Sequence, residues 1–195
     1  MADYDTLREL ITYKHRLSDE SLDALFALGV EQSFGAGEAV IRAGRVNDNL
    51  YLIKEGFLRA YKPYEDKELT LLMGDDGDIF LSAFSFHGGL PAVLTIEACC
   101  DSVVIRIAKQ DFMELLHRSP DIAQWAFDVV MEQLFVLERK THLFTGNAYE
   151  RYESMMDNRP DIFLKVPLRI IASYLGVTQS CPSRLRRRYV KERRK

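Results

Sequence analysis

Between Gly35 and Ile107 the chain is a series of short apolar runs separated by Gly, Asp, Asn and Pro, a rhythm that reads as strands and turns. The candidate strands are Ala39 to Arg42, Leu50 to Lys54, Phe57 to Tyr61, Leu69 to Met73, Leu94 to Ala98 and Val103 to Ile107. Between them lie Gly44, Asn47-Asp48-Asn49, Glu55-Gly56, Glu65-Asp66 and Gly74-Asp75-Asp76-Gly77. Regularly spaced short strands point to a closed or sandwiched antiparallel architecture. Leu50 and Leu52 on one parity and Tyr51 and Ile53 on the other predict a strand buried on both faces.

Helical patterns flank this region. Leu7 to Ile11 and Asp19 to Leu28 precede it, the second capped by Ser18. Ser119-Pro120, a cap followed by proline at the first helical position, opens a pattern that runs without a breaker to Phe144. Its apolar set of Ile122, Trp125, Ala126, Val129, Val130, Leu134, Val136 and Leu137 covers more than one stripe, leaving a face for a partner. Thr145-Gly146-Asn147 ends it, and Asn147 with Glu150 reads as a capping box. Residues 166 to 188 then read as helix, turn and helix: Ile170, Ile171, Tyr174 and Leu175 repeat at helical spacing and Gly176 supplies the turn.

The second of these helices runs into a basic tail. The 12 residues from Arg184 to Lys195 hold eight Lys or Arg and one acid, Glu192, for a net +7 within a chain of net −3. Such asymmetry suits a polyanion for this end of the chain alone. The expected DNA-binding set is Thr178, Gln179, Ser180, Ser183, Arg184, Arg186, Arg187 and Arg188, with Arg184 and Arg188 on the face of Ser180. Arg193, Arg194 and Lys195 add phosphate contacts. Pro182 perturbs the start of this helix and leaves two solutions: Thr178 as N-cap, or a later start with Cys181 as cap and Pro182 first.

A chain of 195 residues with 47% hydrophobic residues fits one large domain or two small ones. No apolar run approaches membrane-spanning length and the start lacks a signal-peptide pattern, so a cytoplasmic location and no membrane partner are expected. Cys99, Cys100 and Cys181 suit neither disulfides nor zinc, and the adjacent pair is placed in a strand as packing. No metal, cofactor or catalytic residue is expected: there is no HExxH or CxxC, no HxH pair for a cupin-like metal enzyme, and Gly35-Ala36-Gly37 reads as a turn. His87 reads as a solvated loop histidine.

The series Gly37-Glu38, Gly44, Leu50-Tyr51-Leu52-Ile53, Gly56, Tyr61 and Gly77-Asp78-Ile79-Phe80 resembles the β-roll of the Crp/Fnr family of transcription regulators. The resemblance extends over nearly the whole chain, since a helix-turn-helix follows. It implies an α+β protein: an N-terminal antiparallel β-roll (jelly roll) flanked by helices over residues 1–118, a long dimerisation helix over 119–146, and an all-α helix-turn-helix domain over 147–195. It also implies a homodimeric, sequence-specific regulator of double-stranded DNA that senses an effector. The dimer helix would use Ile122, Trp125, Ala126, Val129, Val130, Leu134 and Leu137. The chain is a short form, expected to have no room for the β-hairpin wing that many members place after the reading helix.

The effector pocket implied by the resemblance comprises Phe80, Leu81, Ser82, Ala83, Gly88, Gly89, Ala92 and Val93. Here the chain departs from its family. Cyclic-AMP-binding members carry a glutamate for the ribose where this chain has Ser82, and an arginine for the phosphate where it has Ala92. Alanine offers no charge-assisted bond, so cyclic AMP is not expected to bind. The pocket then takes an uncharged small molecule, an anion held by the backbone N–H groups of Gly88-Gly89, or nothing. Iron–sulfur sensing is excluded because three cysteines cannot make a four-cysteine site. The alternative to a regulator is a ligand-binding module of the same fold that has lost specific DNA recognition, an idea resting on Pro182 and the missing wing.

Overall fold

The computed structural model describes residues 4–15, 17–145, 147–159 and 161–192, so Gly146 and the tail residues Arg193, Arg194 and Lys195 lie outside the described residues. Helices α1 (Asp5–His15) and α2 (Asp19–Ala27) lead into the roll. Ser18 caps α2 as expected, its hydroxyl accepting from the Ser21 amide at 3.3 Å. The roll comprises β1 (Val30–Phe34), β2 (Ala39–Ile41), β3 (Leu50–Glu55), β4 (Leu58–Tyr64), β5 (Lys67–Gly74), β6 (Ile79–Phe80), the short helix α3 (Ala83–Gly88), β7 (Thr95–Ala98) and β8 (Ser102–Ile107). Helices α4 (Lys109–Arg118) and α5 (Pro120–Thr145) follow. The last section is α6 (Ala148–Asn158), α7 (Ile162–Lys165), α8 (Leu168–Leu175) and α9 (Cys181–Glu192).

The strands form two four-stranded antiparallel sheets, ordered β1-β8-β3-β6 and β2-β7-β4-β5. Strand alternation divides the core. Leu50 and Leu52 face a cluster with Leu22, Leu25, Phe112, Ile122 and Trp125, which joins the flanking helices to the first sheet. Tyr51 and Ile53 point the other way, into the roll, to meet Leu58, Ala60, Phe80, Ile96 and Val104. The double-sided burial of β3 therefore holds. A third cluster joins Phe57 and Cys99 of the roll to Tyr152, Ile162, Ile170, Ile171 and Leu175 of the helical section. Gly56 is needed where these sections meet: its φ is +113°, and a Cβ there would lie 2.2 Å from the Ser102 hydroxyl.

Several elements differ from expectation. Strand β1, Val-Glu-Gln-Ser-Phe, is a sheet-edge strand with mostly exposed residues and so has no apolar run to announce it. Helix α4 starts at Lys109 behind an N-cap, Ala108, that offers no side-chain bond. Cys99 and Cys100 are not in a strand: β7 ends at Ala98, and the pair turns through a bend in which the Cys99 amide donates to the Phe57 carbonyl at 2.7 Å. Burial remains the role of Cys99, and desolvation pushes its thiol up to about 12.

Candidate nucleic-acid interface and effector roll

The helix-turn-helix is assembled from α8 and α9 on a platform made by α6. Asn147 and Glu150 form the anticipated capping box at the start of α6. Helix α8 ends at Gly176, whose φ of +64° lets its amide and that of Val177 fold back onto the Ala172 and Ser173 carbonyls. Arg151 of α6 donates to the Leu175 carbonyl at 2.8 Å, satisfying another of the carbonyls a helix end leaves open.

Helix α9 takes neither of its two expected starts but begins between them, one residue before the later one. Residues 179 and 180 are a turn and α9 begins at Cys181, so Thr178 is not its N-cap and Pro182 is the second helical residue. Proline costs little there because the first amides of a helix have no intrahelical partner. Its ring is also in use. Pro182 and Tyr189 are buried and Leu185 is half-buried, which places the three on the inner face. Tyr189 donates its hydroxyl to Asp157 at 2.9 Å and packs edge-on against Tyr152.

Facing outward are Ser183, Arg184, Arg187, Val190 and Lys191, preceded by the exposed Thr178, Gln179 and Ser180. Arg186, Arg187, Val190 and Lys191 line a shallow groove. Arg188 is exposed beside this face but already engaged. Its guanidinium stacks 3.9 Å from the Tyr149 ring centroid and its Nε donates to Glu192 at 2.8 Å, so it ties α9 to α6. The expected grouping of Ser180, Arg184 and Arg188 is exposed throughout, and within it Arg188 is held by Tyr149 and Glu192. Arg186 lies over the Phe163 ring at 5.7 Å.

The apolar set of α5 divides in two. Ile122 and Trp125 are buried against the roll, with Ala126 and Val129 packed beside them, so these four are corrected from partner face to protomer core. Trp125 meets Phe112 of α4 edge-on at 6.3 Å. Val130, Leu134 and Leu137 are exposed, together with Phe127 and Phe135, which the sequence reading passed over. Phe127, Val130, Leu134 and Leu137 are spaced three, four and three residues apart, the a/d repeat of a helix–helix seam. That spacing was available to sequence inspection.

The expected effector loop is closed on itself. Ser82 uses its hydroxyl to cap α3, accepting from the Ser85 amide at 3.3 Å, and the buried Ser85 hydroxyl donates to the Leu90 carbonyl at 2.7 Å. The Gly89 amide donates to Ser85 and Phe84 carbonyls, so it is not offered to an anion as one of the three alternatives required. Ala92 is buried, held by paired backbone bonds to Gly44 and Arg45, and shares the roll interior with Phe80. Leu81 packs toward the helical core, whereas Ala83, Gly88 and Val93 are exposed. His87 is exposed in the last turn of α3.

On its face turned away from the roll interior, the second sheet carries a buried cation. Arg59 faces away from Leu58 and Ala60 and donates to Glu97 from Nε at 3.1 Å and Nη2 at 2.9 Å, to Glu68 at 2.6 Å and to Thr70 at 3.3 Å. Thr70 in turn meets Ser173 of α8. None of these residues was singled out from the sequence, because charged residues on a strand ordinarily mark its solvated face. Among the described residues, no group of three or more His, Cys, Asp and Glu could hold a metal ion, and no helix is long and apolar enough to cross a membrane.

Residues 31–119 match the family model described as a cyclic nucleotide-binding domain, which spans the roll and α4. Among solved structures, FixK2 from Bradyrhizobium japonicum superposes with a TM-score of 0.72 at 20% identity, over 84% of this chain and 85% of that one. A Crp/Fnr-family regulator from Eubacterium rectale gives a TM-score of 0.64 at 18% identity, over 91% and 85% of the two chains. The chain has the Crp/Fnr fold. A CooA variant from Carboxydothermus hydrogenoformans shares the fold as well, with a TM-score of 0.66 at 23% identity over 92% of this chain and 88% of its own. No curated protein is a significant match in sequence. For a Crp/Fnr-fold chain the helix α5 and the pair α8–α9 thus occur in the expected order after the roll.

Proposed function

We propose that this chain is a homodimeric, sequence-specific DNA-binding transcription regulator acting in the cytoplasm, with α9 as its reading helix. The observation that carries the proposal is the outward face of α9, where Ser183, Arg184, Arg187 and Lys191 are exposed while Pro182, Leu185 and Tyr189 anchor the helix from behind. Cations of this kind grip phosphates, and arginine also reads guanine in the major groove. Thr178, Gln179 and Ser180 stand in the turn that leads into the groove. The exposed Phe127, Val130, Leu134 and Leu137 of α5 support a two-fold partner.

The roll does not take cyclic AMP in this account. Ser82 is engaged as a helix cap and Ala92 is an apolar wall residue, so neither ribose nor phosphate has a partner. Sedimentation of the native chain is expected to give a dimer, and Phe127→Lys with Leu134→Lys a monomer of 22.5 kDa. A native monomer at tens of micromolar would contradict the proposal. Cyclic AMP at 100 times a true dissociation constant would add about 2.7 kcal/mol of stability; no rise in melting temperature is expected at millimolar cyclic AMP, and a saturable rise would refute this part.

A further inference from the structure

Beside the apolar cluster around Phe57 and Cys99, side-chain hydrogen bonds join the helical section to the roll on β5 and on the turn that follows it. At the first, the Thr70 amide donates to the Ser173 hydroxyl at 2.9 Å, that hydroxyl donates to the Glu68 carbonyl at 2.7 Å, and the Thr70 and Ser173 hydroxyls lie 2.9 Å apart. Arg59 secures this point from beneath by holding Thr70 and the Glu68 carboxylate. At the second, Arg159, just past α6, donates to Asp78 at 2.9 Å and pairs with Asp75 at 3.5 Å. Helix α9 packs on α6, which Arg159 follows, and on α8, which carries Ser173, so its orientation relative to the roll is inherited from them.

We propose that Ser173 and Arg159 are positioning residues that set the half-site spacing the dimer accepts. The inference rests on the DNA-binding reading above. Neither residue is on the outward face of α9, so neither is required to touch a base. Their effect is geometric. Helix α5 is packed on the roll through Ile122 and Trp125, and the roll holds α6 and α8 through Arg159 and Ser173. Two copies joined along α5 therefore present two α9 helices at a fixed separation. Adding one base pair between half-sites moves the second by about 3.4 Å and turns it by ~34°. A rigid joint rejects that displacement, whereas a loosened joint follows it.

The test uses full-length protein and a duplex enriched by the native chain from a randomised pool, together with the same duplex lengthened by one central base pair and a single half-site. The native chain should prefer the original spacing by about tenfold or more. Each Ser173 hydrogen bond is worth about fivefold in an equilibrium, so Ser173→Ala combined with Arg159→Gln should reduce the preference to about threefold or less. Half-site affinity should be unchanged. Hydrogen exchange supplies a direct readout of the joint, because Ser173→Ala removes the acceptor of the Thr70 amide, which should exchange faster. If the native chain enriches a duplex but the double variant keeps the full spacing preference, the positioning role is wrong and the DNA-binding reading stands. An equal loss on half-site and full site would also overturn it, since the reading unit itself would then be damaged. If the native chain enriches no duplex, both readings fall.

Discussion

Replacing Glu97 by leucine should expose how strongly the second sheet depends on its buried cation. The Arg59 side chain is 1% exposed and that of Glu97 10%, so the pair is largely shielded from solvent. Removing one partner of such a pair costs about 3 to 5 kcal/mol, because the remaining charge stays desolvated. Arg59 would retain Glu68 at 2.6 Å, but that carboxylate is 41% exposed and screened by water, so the lower end of the range applies. A loss of about 3 kcal/mol corresponds to a fall of ~1.5 M in the urea midpoint for a slope near 2 kcal/mol/M. Arg59→Met combined with Glu97→Leu leaves no orphaned charge and should return to within about 1 kcal/mol of native. Equilibrium urea unfolding followed by circular dichroism measures all three proteins. A midpoint shift below ~0.5 M for Glu97→Leu, or a double variant no better than the single one, would refute the reasoning.

Two further outcomes follow from titrating groups. Burial pushes the Cys99 thiol up to about 12, so in native protein at pH 8 iodoacetamide should leave Cys99 unmodified while the half-buried Cys100 and Cys181 react; mass spectrometry of the digest locates the label, and rapid labelling of Cys99 would contradict its burial. Asp121 accepts from the Ser18 hydroxyl at 2.6 Å and from the Ser18 amide at 3.1 Å, which holds its carboxyl below the ordinary value. Its stabilising effect is therefore present above the ordinary carboxylate pKa near ~3.9 and is lost as pH falls below that. Melting temperature should drop between about pH 4 and pH 2 less steeply in Asp121→Asn than in the native chain, and identical slopes would remove Asp121 from the account.

The parts of the molecule legible in the sequence were those where one local cause dominates. Six strands followed from apolar runs between turn formers, and Gly176, Ser18 and Asn147 marked helix ends because each performs a single backbone task. Strand β1 was missed because its residues are mostly exposed and its existence depends on pairing with β8, which lies some 70 residues away in the chain. The same limit applies to the α5 stripe. Ile122 and Val130 are equally apolar in sequence, yet only packing against Phe112 and the roll decides that the first is interior and the second exposed. Arg188 illustrates the reverse error. A basic run suggested one cationic face, but the aromatic ring of Tyr149, contributed by α6, captured one member of it. The Arg59 network was illegible because its members come from three strands, β4, β5 and β7, that only the sheet pairing brings together.

Enrichment of randomised duplexes by the full-length chain tests the central claim most directly. The account predicts an inverted repeat whose half-site centres lie about 10 base pairs, or ~34 Å, apart. It further predicts that Arg184→Ala with Arg187→Ala abolishes or redirects the enriched sequence, because these side chains project from the outer face of α9. Absence of any enriched sequence, or an enriched sequence identical for the native chain and the double variant, would contradict the assignment of α9 as the reading helix.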